Sequence, residues 1–160
     1  MEKLLEKEAV KRVKDFIDKF DASLNILVLK TTARTAKEAS DALNCEVGAI
    51  VKSLVFKTEN NFLVCLLAGD KRCSLNKLKK ILKKKDICMA SAEEVKKNTG
   101  FSIGGVAPIA HFKKLSILID SSLSRFENVY AAAGHPNCVF KIKYNQLKKI
   151  TKSSEEEISE

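Results

Sequence analysis

The sequence predicts an α/β fold of the α+β kind: one domain built on a curved, mixed and mostly antiparallel β-sheet flanked by helices. Three observations carry this. Apolar residues recur at helical spacing in some windows and alternate or run continuously in others, so helices and strands interleave. Short polar turns join neighbouring strand segments, which implies antiparallel pairing and disfavours a doubly wound parallel sheet. The chain has 160 residues, 45% hydrophobic and 31% charged, enough to bury one core and too apolar for general disorder.

Residues 3–20 place Leu4, Leu5, Ala9, Val13, Phe16, Ile17 and Phe20 on one stripe between charges, an amphipathic helix. Residues 26–30 read as a strand. Thr35-Ala-Lys-Glu38 fits a capping box and opens a second helix. Strands are expected at about 50–57 and 62–68, joined by the polar turn Lys-Thr-Glu-Asn-Asn. Residues 75–84 form a short helix with Leu75, Leu78 and Leu82 inward, and 86–89 a short strand. Ser91-Ala-Glu-Glu94 caps a further helix that stops before Gly100. A Gly-rich loop spans about 100–111, strands follow at 115–119, 128–133 and 138–143, and a last helix covers 144–150. Residues 1–150 are expected to be the folded domain, and 151–160 an acidic, mobile tail.

Charge is the first pointer to function. The chain carries +9, while TKSSEEEISE at its end holds one Lys and four Glu, leaving +12 on residues 1–150. Such a body attracts polyanions, nucleic acid among them. No apolar run approaches the length of a membrane span, and MEKLLEKEAVKRVKDF lacks the apolar stretch of a secretory signal, so a cytoplasmic protein with no membrane partner is expected. Five cysteines, an odd number with no C-x-x-C pair, fit reduced thiols rather than a disulfide framework or a metal site. Neither a G-x-G-x-x-G turn nor a P-loop is present, so no cofactor is expected.

Four features could carry chemistry. Lys52 lies in Ala-Ile-Val-Lys-Ser-Leu-Val-Phe, where alternation sets it with Ile50, Leu54 and Phe56 on one strand face. An ammonium among hydrocarbon needs a carbonyl, carboxylate or bound anion; it either holds a substrate at a pocket wall or extends its head to water. Gly100–His111 contains three of the six glycines and Pro108, so its amides could approach a ligand closely, or it is simply a tight loop. Ala131-Ala-Ala-Gly-His-Pro-Asn137 joins two strands and offers His135 and Asn137, though Gly, Pro and Asn also make ordinary turns. Residues 71–85 hold eight cations and no acid. On a helix Lys77, Lys80 and Lys84 would share a stripe suited to tRNA phosphates or simply to water.

Taken in order, Arg34–Ala39, Ile50–Phe56, Gly100–Pro108 and Ala132–Asn137 resemble the YbaK/EbsC family of aminoacyl-tRNA deacylases and prolyl-tRNA synthetase editing domains, over about Thr31 to Ile142. The resemblance implies a YbaK-like fold and a trans-editing hydrolase that cleaves the ester of mischarged tRNA, tRNA for proline foremost. Aminoacyl-tRNA is the implied partner, together with an aminoacyl-tRNA synthetase, for a chain expected to be a monomer. Lys52 matches the family's strand lysine and is the implied catalytic residue. Thr35, Gly104, Gly105, Val106, Pro108, Gly134, His135 and Asn137 are the implied substrate-binding positions, with amides near Gly104 and Gly105 as oxyanion donors. The chain departs from many relatives at Ala107, where they carry Pro, and at Ala110, where they carry Gly. Cysteinyl, alanyl, seryl and threonyl esters all stay open. The alternatives are a non-catalytic tRNA- or synthetase-binding module of the same fold and a general nucleic-acid binder.

Overall fold

The computed structural model of the protein describes residues 2–160, with side chains from Lys3 onward. Its helices are α1 Glu2–Leu5, α2 Glu8–Phe20, α3 Ala36–Leu43, α4 Leu75–Leu82, α5 Ala92–Thr99 and α6 Tyr144–Thr151. Its strands are β1 Ile26–Val28, β2 Val51–Lys57, β3 Phe62–Ala68, β4 Cys88–Met89, β5 Ser116–Asp120, β6 Asn128–His135, β7 Cys138–Lys143 and β8 Ser154–Glu156. The fold is a mixed α/β single domain, and none of its described helices is long and apolar enough to cross a membrane. Thr35 and Ser91 cap α3 and α5 as their spacing predicts: each side chain accepts from the backbone three residues on, and Ser91 with Glu94 forms the full reciprocal box. The N-terminal helix is interrupted at Glu6–Lys7, where Lys7 turns extended to start α2.

The expected single curved sheet is two sheets. One has the order β1-β7-β6, the other β4-β2-β3-β5-β8. An isolated parallel bridge between Ile50 and Tyr130 ties them together. Four ladders are antiparallel, while β3–β5 and β5–β8 are parallel. Val10, Val13 and Ile17 of α2 are fully buried and share a core with Ala131, Ala133, Phe140 and Ile142. A second cluster on the far side of β2 and β3 joins Phe56, Cys65, Leu67 and Leu78. Lys52 and Leu54 alternate onto that side with Phe56, as the strand period requires.

Gly134 marks where α2 comes closest to β6. It has φ +92°, and a Cβ there would lie 2.8 Å from the Ala9 carbonyl oxygen. Gly134→Ala therefore combines left-handed strain with a backbone clash, and is expected to cost about 2 kcal/mol in chemical unfolding.

The acidic end of the chain, expected from its composition to be a tail, packs onto the fold. Ser154–Glu156 pairs in parallel with β5 from Leu118 to Asp120, and Ile158 is fully buried in the second cluster. The reason is a backbone one: the outer edge of β5 presents unpaired groups, and β8 satisfies them whatever its side chains are. Asp120 then grips the segment, its Oδ1 accepting from the amides of Ile158 at 2.8 Å and Ser159 at 3.1 Å.

Candidate active site

A cavity of about 450 Å³ opens between the two sheets. Its walls come from distant segments: residues 33–36 and Ala39 at the start of α3, Ile50 with residues 51–55 of β2, Gly69 after β3, Met89 and Ala90, Val95, residues 103–104 with Val106, and Tyr130, Ala132 and Val139. The β2 edge explains the opening. Beyond the bridge at Ile50, strand pairing on that edge resumes only at Phe56 and Lys57, which face β4. The stretch between has no strand registered against it, and the cavity lies along this gap. Most of the lining is small or aliphatic. Its charged residues are Arg34 and Lys52, and it contains no acid. The capped N-terminal end of α3 adds a further partial positive charge. An anion or a polarised carbonyl is the chemistry this arrangement favours.

Lys52 lines the cavity and is half-buried. Its ammonium donates to the Lys71 carbonyl, which meets the need of a cation among hydrocarbon. Burial is the main influence on the amine and lowers its pKa; nearby Asp70 works in the opposite sense, and Arg72 reinforces the fall. An ammonium has three donors, and Lys71 engages one of them. Asp70 is itself held by Arg125 in a two-pronged pair, at 2.7 and 3.0 Å, so the loop that carries the Lys71 carbonyl is anchored both to Lys52 of β2 and to the turn after β5.

The Gly-rich loop contributes less backbone than its composition suggests. Gly104 and Val106 line the cavity, with Gly104 at φ +96° beside the Arg34 stem. Gly105 does not: its amide donates to the Ser102 carbonyl at 3.0 Å, so it is not a free oxyanion donor. Its missing side chain instead admits the His135 backbone, which a Cβ would meet at 3.0 Å. Pro108 is buried behind the wall. Arg12 of α2 pins the far end of the loop, donating to the Ala110 carbonyl at 2.8 Å and lying 4.4 Å from the ring centres of Phe101 and Phe112. Ala110 holds φ 62°, a left-handed backbone that glycine adopts more readily than alanine. His111, half-buried and bonded to the Ala107 carbonyl at 2.8 Å, has its pKa lowered chiefly by desolvation.

Gly134, His135 and Asn137 do not line the cavity. His135 Nδ1 accepts from the Asn137 amide at 3.0 Å, the Asn137 side chain donates to the Leu29 carbonyl at 3.1 Å, and the Pro136 carbonyl accepts from Ala33 at 2.6 Å. The hairpin thus clamps the segment that leads into α3, and positions Arg34 and Thr35 indirectly. Thr35 does border the cavity, with its hydroxyl engaged as the helix cap.

The cationic stripe on 71–85 is also altered. Lys77 binds the chain end while staying partly exposed, its ammonium 2.7 Å from the Ser159 carbonyl and 3.2 Å from Glu157. Lys83 adopts a left-handed cap and ends α4, so Lys84 lies past the helix. Lys80 and Lys84 stay exposed. Arg34, Met89, Ile103 and Tyr130 are cavity residues that sequence reasoning did not assign; the position of Arg34 just before a helix cap was the one local signal.

Comparison with known proteins agrees with this geometry. The aminoacyl-tRNA editing domain family matches residues 30–150. The proline–tRNA ligase of Kosmotoga olearia is 34% identical over 102 residues, which is 64% of this chain and 18% of the ligase. The chain therefore spans under a fifth of that enzyme's length. The uncharacterized protein YwhH of Bacillus subtilis is 26% identical over 144 residues, 89% of this chain and 91% of its own. A crystal structure described as that of a candidate trans-editing enzyme for prolyl tRNA synthetase superposes with a TM-score of 0.91 at 34% identity, covering 96% of this chain and 98% of that one. A family match that takes in the capped helix, the lysine-bearing strand and the glycine loop around one cavity places the chain in the aminoacyl-tRNA editing domain family.

Proposed function

We propose that the protein is a trans-acting deacylase that hydrolyses the ester of mischarged aminoacyl-tRNA, with tRNA for proline as its first candidate substrate. The observation that supports this best is the acid-free cavity bearing Lys52 and Arg34 beside Gly104. The ester that joins an amino acid to the terminal ribose is already activated, so an enzyme need only orient it, polarise its carbonyl and admit water. A Ser-His-Asp set is not required. Lys52, with Lys71 holding one of its protons, would direct the remaining donors to the ester carbonyl or an adjoining phosphate. Water is the nucleophile, aided by the neighbouring ribose hydroxyl. The shape of the cavity, not its volume of about 450 Å³, would have to reject the cognate side chain for it to act as an editing sieve. Ligases for proline that carry a matching segment support tRNA for proline. Lys80, Lys84 and neighbouring exposed cations would dock its phosphates. The same reading implies a cytoplasmic monomer, served by a synthetase that supplies the mischarged product.

A panel of alanyl, seryl, threonyl, cysteinyl and prolyl esters on tRNA for proline is the test. One or more of the small non-cognate esters should be cleared well above the spontaneous rate, with prolyl-tRNA spared. If the protein binds every member and clears none, the domain is a tRNA- or synthetase-binding module instead.

A further inference from the structure

Two large apolar side chains stand in water at the lip of the cavity. Met89, at the end of β4, is 56% exposed, and Ile103, in the turn before Gly104, is 61% exposed. Both line the same opening. Exposed hydrocarbon gathered at a cavity mouth marks a surface that is covered when a ligand arrives. The ligand must also suit the charge of the place. Arg34 and Lys52 are the cavity's charged residues and nothing acidic opposes them, so the occupant joins a flat apolar face to an anionic backbone. We propose that Met89 and Ile103 seat the terminal adenine base of the tRNA acceptor end. This rests on the deacylase reading and adds a subsite to it.

Covalent geometry sets the location. The aminoacyl ester and the adenine are carried by one ribose, so an acyl group placed in the cavity leaves the base at the rim, within a sugar's width of the opening. The side chains there fit a π face. A methionine thioether makes favourable contacts with aromatic rings and adapts its shape to them, and the branched aliphatic Ile103 of the glycine loop offers a second apolar wall. Base contacts of this kind tolerate any sequence upstream, because the acceptor end is common to tRNAs. The Arg34 stem lies beside Gly104, the residue after Ile103, so the same rim carries a cation for the adjoining phosphate.

The experiment compares two minimal substrates that carry the amino acid cleared fastest in the panel: its 3′ ester on adenosine, and its ester on glycerol, which lacks a base. The parent should prefer the adenosine ester, and adenosine monophosphate should inhibit competitively. Met89→Ser with Ile103→Ser should raise KM for the adenosine ester about tenfold, the size expected when two apolar contacts are lost to water. The same variant should weaken inhibition by adenosine monophosphate to match and slow the glycerol ester by a much smaller factor. Both positions are exposed, so the fold should survive, as a thermal melt would verify. Equal slowing of both esters, or a parent with no preference for the adenosine ester, overturns the base seat and leaves the deacylase reading standing. A parent that cleaves neither ester nor any member of the panel overturns both. A concentration-dependent dimer in the parent that the variant abolishes would assign the patch to a second copy of the chain and overturn the proposal.

Discussion

Lys52→Met is expected to lower deacylation of the preferred mischarged tRNA about 100- to 1,000-fold, the loss typical when one preorganised donor to a developing oxyanion is removed. Methionine keeps most of the lysine stem, so the packing of Leu54 and Phe56 on the same strand face is preserved. The folded state gives up one hydrogen bond to the Lys71 carbonyl, at a net cost of about 1 kcal/mol. A large activity loss with a small stability loss is therefore the signature of a group acting on substrate. Lys52→Ala would confuse the two by opening a gap beside β3. The pH dependence gives a second reading. Burial lowers the pKa of this amine, and the charged form is the one that donates. Activity supported by Lys52 should thus be present below its folded-state value and fall as the pH rises through it, on a limb below the ordinary lysine range near 10.4. Spontaneous ester hydrolysis rises with pH and must be subtracted. If the Met variant clears mischarged tRNA at the parental rate, the ammonium is a structural tie for the Lys71 loop and no more.

How far the fold could be read in advance depended on the range of the interactions that decide it. Thr35 and Ser91 specify helix starts through contacts three residues away, and both caps are present. The β2–β3 hairpin follows from two apolar runs around a polar turn. The cavity is different in kind. Met89, Ile103 and Tyr130 meet only because β4, the glycine loop and β6 return to the same gap on the β2 edge, and no local pattern encodes that. Composition also misleads about direction. The glycines of 100–111 suggest amides aimed at a ligand, yet the Gly105 amide is spent on Ser102 and its bare Cα makes room for His135. His135 and Asn137, polar residues in a tempting place, hold a hairpin shut. The lysines of 71–85 look free until the chain end is seen to neutralise Lys77.

That chain end leads to the second large effect. Asp120→Ala should destabilise the protein by about 3 kcal/mol, because buried amides that lose their acceptor cost roughly 1–3 kcal/mol each. Asp120 is fully buried. One oxygen accepts from Ile158 and Ser159, and the other from the Ser122 amide and hydroxyl. Burial pushes the Asp120 carboxyl up, but these donors outweigh it and hold the pKa below the ordinary 3.8. The sign follows. A carboxyl depressed in the folded state contributes stability that is fully present above its unfolded pKa and fades as the pH falls through its folded value. Urea unfolding of the parent should therefore show an acid loss starting near pH 3.8, and the variant should lack that share of it. The segment released by the variant carries Ile158 out of the second core cluster and frees Arg72 and Ser74, whose backbone groups pair with Glu160 and Ile158 at 2.9 and 2.7 Å. Those two residues follow closely on Lys71, whose carbonyl holds Lys52. Asp120→Ala should accordingly also reduce deacylation, by several-fold, and limited proteolysis should cut it after residue 152 while sparing the parent. An unchanged melting curve with an intact chain end would mean that β8 holds through its ladder alone, and that the carboxylate is dispensable.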